Sequence, residues 1–285
     1  MRSVFVLLLS AATLGAQEIP RAISTDPVHD KQHPARMEVL HVPSGGVEIN
    51  GVAYLAAGAG AHPTLVLAHG LPGNEKNLDL AQAVRRAGWN AITFNYRGSW
   101  GSPGSFRFAQ TFEDMNAVLA FVRDPANARK LGIDTRRLVI AGHSMGGMVT
   151  VHTAAHDRGL KGAILISAAD MGRADQQPRD SVIKHMEGDM ETLAGTTPTQ
   201  MADEMRANGA SWRFARAANG LAHVPLLVLT SDDGLAPAND SLVAAVRAAG
   251  NKRVTTLHVA TDHSWSDRRI ALEAAVVRWL DALPH

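Results

Sequence analysis

Three short stretches of this sequence carry residue types that could move an acyl group. Gly142-His143-Ser144-Met145-Gly146-Gly147 follows the apolar run Leu138-Val139-Ile140-Ala141 and opens a segment of helical character. A sharp turn between strand and helix lifts a serine hydroxyl above the edge of a sheet, and its crowding calls for glycine on both sides, here Gly142 and Gly146. A helix starting beyond Ser144 would aim unpaired N–H groups and its positive end at the same spot. A hydroxyl needs a base to take its proton, and the base needs a carboxylate to hold its tautomer.

Both partners follow in the order serine, acid, histidine. The run Leu226–Leu229 ends in Thr230-Ser231-Asp232-Asp233-Gly234, and a carboxylate at the C-terminal end of a buried strand lies on the reactive edge of such a sheet. Asp233 is the first choice for the acid, and Asp232 is the alternative. His263 sits in Ala260-Thr261-Asp262-His263-Ser264-Trp265, directly after the run Val254–Val259, where a general base would stand. An oxyanion formed on the acyl carbon also needs donors. His69-Gly70-Leu71-Pro72-Gly73 follows another apolar run, so the N–H groups of Leu71 and Met145 are the expected pair; Pro72 has no N–H to offer.

The elements that must position these groups alternate. Glu38–Val42 and Val47–Leu55 flank Pro43-Ser44-Gly45-Gly46 and predict a β-hairpin. Further apolar runs at Thr64–Ala68, Ala91–Phe94, Leu138–Ala141, Ala163–Ile166, Leu226–Leu229 and Val254–Val259 mostly lack polar alternation, as strands buried on both faces do. Helices are expected at Leu78–Ala87, Phe112–Val122, Met145–His156, Ser241–Ala249 and Arg268–Leu280. Strand and helix in alternation predict an α/β fold with a mostly parallel central sheet and helices on both faces. The stretch 170–222 is too long for a simple connection and carries helical patterns near Ser181–Met190 and Thr199–Asn208, so it is expected to be a helical insertion, a lid.

With 28 basic and 27 acidic residues the formal charge is +1, which argues against a nucleic-acid partner held through a basic face. No cysteine is present, so disulfides, cysteine–metal sites and a thiol nucleophile are all excluded. Residues 1–16 have a basic start at Arg2, an apolar middle Val4–Leu9 and small residues up to Ala16, the layout of a cleaved export signal. That predicts a periplasmic or secreted protein with no stable membrane insertion after cleavage. Residues 17–36 would form a flexible leader and 37–285 the folded domain. Nothing in the chemistry requires a metal or an organic cofactor.

Other features have plainer readings. His152 and His156 stand one helical turn apart but lack an evident third ligand, so they are read as helix-end histidines. Met186, Met190, Met201 and Met205, with Trp212 and Phe214, are read chiefly as packing in the insertion, with substrate contact as the alternative. Tyr96-Arg97 is read as a pair that fixes its loop, with binding of a substrate carboxylate by Arg97 as the alternative.

These motifs together resemble the α/β-hydrolase superfamily over about residues 37 to 283. Asn95-Tyr96-Arg97-Gly98-Ser99 with Gly101 and Gly104 is similar to a loop of prolyl-oligopeptidase-like members, and His69-Gly70 with Pro72-Gly73 is shared with dienelactone-hydrolase-like and carboxylesterase-like members. The resemblance implies a Ser144–Asp233–His263 triad. The expected activity is serine hydrolysis of a carboxylic ester through an acyl-enzyme, on a small-molecule ester or short peptide. A peptidase or amidase is the alternative, and a non-catalytic binding protein on the same fold is a third reading.

Overall fold

The computed structural model describes residues 18–284, so the expected export signal at residues 1–16 lies outside the described residues. The first two strands, β1 (Arg36–Ser44) and β2 (Val47–Leu55), form the expected antiparallel hairpin, with Ser44 opposite Val47. Gly45 and Gly46 have φ of 56° and 85°, the two positive values that a tight two-residue hairpin turn demands.

Six more strands complete one sheet. They are β3 (His62–Ala68), β4 (Asn90–Phe94), β5 (Ile133–His143), β6 (Leu160–Ile166), β7 (Leu226–Thr230) and β8 (Val254–His258). The spatial order is β1-β2-β4-β3-β5-β6-β7-β8, and every pair from β4 to β8 is parallel. Among the described residues ten helices surround it: α1 (Arg21–Ser24), α2 (Leu78–Arg86), α3 (Phe108–Arg123), α4 (Pro125–Leu131), α5 (Met145–His156), α6 (Arg179–Glu187), α7 (Pro198–Trp212), α8 (Phe214–Ala217), α9 (Ala236–Ala248) and α10 (Arg269–Asp281).

The central strands are apolar throughout because each feeds two cores. Val66, Ile140, Leu165 and Val228 join a cluster that includes Met115 and Leu119 of α3, Met148 and Val149 of α5 and Leu242 of α9. Their neighbours Leu65, Val139, Ile164 and Leu227 point the other way, into a cluster with Leu80 and Val84 of α2 and Leu272 and Val276 of α10. Each fully buried side chain of this size contributes about 1.5–3 kcal/mol. The strand at the end departs from the expectation of two-sided burial. β8 is exposed along most of its length because it stands at the end of the sheet and, among the described strands, pairs only with β7.

Local signals explain other differences. α4 was not anticipated, although Asp124 accepts from the N–H groups of Ala126 and Asn127 at 3.0 and 3.0 Å, Pro125 opens the first turn and Gly132 closes the helix at φ 61°. α9 starts at Ala236, before the expected Ser241, since Pro237 is tolerated in a first turn. α3 starts at Phe108, before the expected Phe112, because the Glu204 carboxylate of α7 accepts from the N–H groups of Phe108 and Ala109 at 3.0 and 2.8 Å.

Between β6 and β7 the chain forms α6, α7, α8 and three short 3-10 turns. Met186, Met201, Met205, Trp212 and Phe214 are buried there and pack into the α3–α5 core. One edge of this insertion roofs the loop after β4. Trp100 N–H donates to the Thr192 carbonyl at 3.0 Å, Ala194 N–H to Gly98 at 2.8 Å, and Phe106 N–H to Ala194 at 2.9 Å. Within the expected leader, α1 lies on α2, where the Arg86 guanidinium donates to the Ile23 carbonyl at 3.3 Å.

Candidate active site

Ser144 occupies the turn between β5 and α5 with φ 55° and ψ −119°, a strained conformation for a residue with a side chain. The surrounding backbone enforces it. Ser144 N–H donates to Ile166 at 3.0 Å, and the Ser144 carbonyl accepts from Gly147 and Ala169 at 2.9 and 2.9 Å. A Cβ on Gly142 would run into the backbone of Gly146, and a Cβ on Gly146 would lie 2.7 Å from the His69 carbonyl oxygen, beside a still closer contact with Ala68. The two glycines are therefore conditions of the turn and of its approach to β3.

Asp233 and His263 meet. Asp233 Oδ2 accepts from His263 Nδ1 at 2.7 Å, and Asp233 Oδ1 accepts from Leu235 N–H at 2.9 Å. The Asp233 side chain is only 4% exposed, against 39% for His263, so the carboxylate is shielded while the imidazole reaches solvent. Burial opposes ionisation of Asp233, but the hydrogen bonds from His263, Leu235 and the hydroxyls of Ser167 and Ser231 outweigh it and hold the carboxyl at about 2. Asp233 is thus charged at neutral pH, and it accepts the proton on His263 Nδ1. Asp232, the alternative, turns outward and accepts from His258 Nε2 at 3.0 Å on the surface.

His143 ties the serine turn to the histidine loop. Its Nε2–H donates to the His263 backbone carbonyl at 2.9 Å, and the two rings lie 4.6 Å apart. Burial, and then the charge that His263 can carry, push His143 down to about 4, so it stays neutral. Three further residues that sequence reasoning missed support Asp233. Trp265, fully buried, donates from Nε1 to Ser167 Oγ at 3.1 Å, and Ser167 Oγ lies 2.8 Å from Ser231 Oγ. Ser167 and Ser231 each directly follow the last residue of a parallel strand, β6 and β7, a position that could have flagged them.

The loop after β3 comes against Ser144. A Cβ on Gly70 would sit 2.8 Å from Ser144 Cβ. Leu71 joins Pro72 through a cis peptide, and the Pro72 carbonyl accepts from Trp100 Nε1 at 2.7 Å and Thr192 Oγ1 at 3.0 Å. Among the described residues, the backbone N–H groups of Leu71 and Met145 have no acceptor within the chain. His69, pushed down to about 4 by burial, donates from Nδ1 to the Gly70 carbonyl at 2.7 Å and braces the loop.

The weaker candidates resolve into structural roles. The Arg97 guanidinium pairs with the buried Asp114 at 2.6 Å and with Glu113, and Arg97 N–H donates to Asp114 at 2.9 Å. It fixes the loop and is not presented to a ligand. His152 Nε2–H donates to the Trp212 carbonyl at 2.8 Å and His156 Nδ1–H to His152 at 2.8 Å. Among the described residues no group of three His, Asp or Glu side chains could hold a metal ion, and no helix is long and apolar enough to cross a membrane.

The sheet order and this turn between β5 and α5 coincide with a match at the level of sequence. The profile of the alpha/beta hydrolase family fits residues 65–284. The chain belongs to the alpha/beta hydrolase family. Over 127 residues it is 32% identical to the quorum-quenching protein AidA of Acinetobacter baumannii, a stretch covering 42% of this chain and only 40% of that relative. Among solved structures, an esterase of Pyrobaculum calidifontis superposes with a TM-score of 0.68 at 20% identity, covering 88% of this alpha/beta hydrolase and 87% of that chain. A thermostable carboxyl esterase from Bacillus coagulans gives 0.67 at 14% identity, over 87% and 99%. At such identities the likeness is one of fold.

Proposed function

We propose that this alpha/beta hydrolase cleaves carboxylic esters through Ser144, His263 and Asp233. The observation that carries the proposal is the 2.7 Å hydrogen bond from His263 Nδ1 to the shielded Asp233 carboxylate, on a histidine loop tied through His143 to the strained Ser144 turn. His263 Nε2 takes the proton as Ser144 Oγ attacks the acyl carbon. Asp233 holds the tautomer and stabilises the imidazolium. The N–H groups of Leu71 and Met145 take the oxyanion; the second is the first N–H of α5, where the helix dipole adds positive potential. His263 then returns its proton to the leaving alcohol. Water attacks the acyl-serine with His263 again as base, and the acid leaves.

Leu71, Met171, Met190 and Leu193 remain half-buried around this end of the sheet and supply apolar surface for an acyl chain. In the peptidase reading, Arg97 was the group suited to a peptide carboxylate, and its engagement with Asp114 and Glu113 favours the ester. The test compares a short p-nitrophenyl ester with aminoacyl p-nitroanilides, using the wild type and Ser144→Ala. Ester turnover that falls by several orders of magnitude in the variant, with inert anilides, is expected. Ester turnover surviving in Ser144→Ala overturns the mechanism, and Ser144-dependent anilide cleavage moves the assignment to a peptidase.

A further inference from the structure

A parallel sheet has two different ends, and in this chain the second end also gathers charge. Ser144, Asp233 and His263 follow the C-terminal ends of β5, β7 and β8. Arg136 and Arg137 stand near the beginning of β5, Arg158 and Lys161 flank the beginning of β6, and Arg253 immediately precedes β8. The strands β5 to β8 are consecutive neighbours in the sheet and all parallel, so these cations converge at the pole opposite the serine. From Arg136 to Ser144 the strand rises roughly 26 Å, at about 3.3 Å per residue.

The five cations line a single cavity of about 510 Å³, and Asp134 is the one carboxylate side chain among its described lining residues. In a chain whose formal charge is only +1, that is a strong local excess. Among the described residues, carboxylate pairing leaves Arg158 and Lys161 of this set uncompensated. Asp134 meets Arg136 at 3.2 Å, but that arginine side chain is 86% exposed, and such pairs contribute little. Arg158 and Lys161 have no carboxylate within ion-pair distance among the described residues. Arg253 donates to the His223 carbonyl, which fixes its guanidinium at the wall, and Arg137 lies 5.7 Å from the centre of the Trp89 ring.

We propose that this cavity binds a small molecule bearing a diphosphate group, at a site separate from the serine. Its volume is that of a small-molecule pocket. Four of its five cations are arginines, whose planar forks match phosphate oxygens in pairs. Because they come from three different strand beginnings, they surround a ligand and can neutralise more than one phosphate. The site does not depend on the ester chemistry and stands or falls by itself.

The test is isothermal titration calorimetry of inorganic pyrophosphate into the full chain, with Arg158→Ala/Lys161→Ala as the comparison. Both side chains are exposed, and an unchanged circular dichroism melt without ligand confirms that the variant is folded. Saturable binding to the wild type, at least tenfold weaker in the variant, is expected. It should also weaken as salt is added, because the attraction is between charges near the surface. Absence of saturable binding at millimolar pyrophosphate overturns the proposal, as does undiminished binding to the folded variant. Equal binding of citrate or of sulfate at matched ionic strength overturns the diphosphate assignment.

Discussion

Replacing Asp233 with asparagine keeps the shape of the side chain and changes what it can accept. In the wild type two N–H donors converge on the carboxylate, His263 Nδ1–H at 2.7 Å and Leu235 N–H at 2.9 Å. An asparagine has one oxygen for the two. If that oxygen stays with Leu235, the NH₂ group faces Nδ1 and forces the imidazole proton onto Nε2, the atom that must accept from Ser144. If it turns to His263, two N–H donors collide at Leu235. Either way the productive tautomer is lost or strained, and the imidazolium loses its counter-charge. The expected fall in kcat is about 10⁴-fold, equivalent to roughly 5 kcal/mol of barrier.

The same substitution has a signature in stability. The folded protein holds the Asp233 carboxyl at about 2, from an ordinary value of 3.8. A lowered carboxylate value stabilises the fold above the ordinary value, and that contribution vanishes as pH falls through the folded one. With a side chain only 4% exposed, the contribution is on the order of 2 kcal/mol at neutral pH. The assay is p-nitrophenyl ester turnover at saturating substrate, paired with urea unfolding at pH 7 and pH 2.5. Wild type and variant should differ in stability at pH 7 and approach each other at pH 2.5. A folded Asp233→Asn protein with kcat within tenfold of the wild type would refute the assigned role of Asp233.

Two further substitutions test neighbouring parts of the structure. His143→Phe keeps a ring against His263 but removes the 2.9 Å hydrogen bond to its carbonyl, leaving a partly buried acceptor without this partner at a cost of about 1 kcal/mol. Stopped-flow ester turnover should show kcat down by roughly 10–100-fold with KM little changed, because the base is held less accurately. Lower stability with unchanged kcat would make His143 a packing residue only. Glu273 is buried on α10, and its burial, with the charge of Asp79 beside it, pushes its carboxyl up to about 7. A raised carboxyl favours the fold below its ordinary value of 4.5 and loses that advantage as pH climbs through about 7. Glu273→Gln should therefore match the wild type at pH 4.5 and exceed it at pH 8 by on the order of 2 kcal/mol in urea unfolding; an equal or lower stability at pH 8 would contradict this.

What could be read from residue order alone divides along a physical line. The Ser144 turn was legible because its constraints lie within a few residues: a buried strand, two glycines and a helix start. Asp233 and His263 were legible because parallel topology brings strand ends together whatever the loops do. Sequence alone does not separate Asp233 from Asp232, since two adjacent aspartates in a turn differ only in which way each points. Leu235 N–H and the hydroxyls of Ser167 and Ser231 hold the Asp233 carboxylate inward, and they come from separate parts of the sheet edge. The start of α3 shows the same limit more sharply. Nothing near Phe108 caps that helix; its acceptor is Glu204, 96 positions away. The exposure of β8 follows its place at the end of the sheet order, and the polar Thr255, Thr256 and His258 in Val254–His258 agree with it. The missed helix α4 is a different case, for its Asp124 cap, Pro125 and Gly132 are all local. The supporting shell of the proposed reactive site is therefore where sequence says least and substitution will say most: Trp265, Ser167 and His143 act on Asp233 and His263 through contacts that no spacing rule contains.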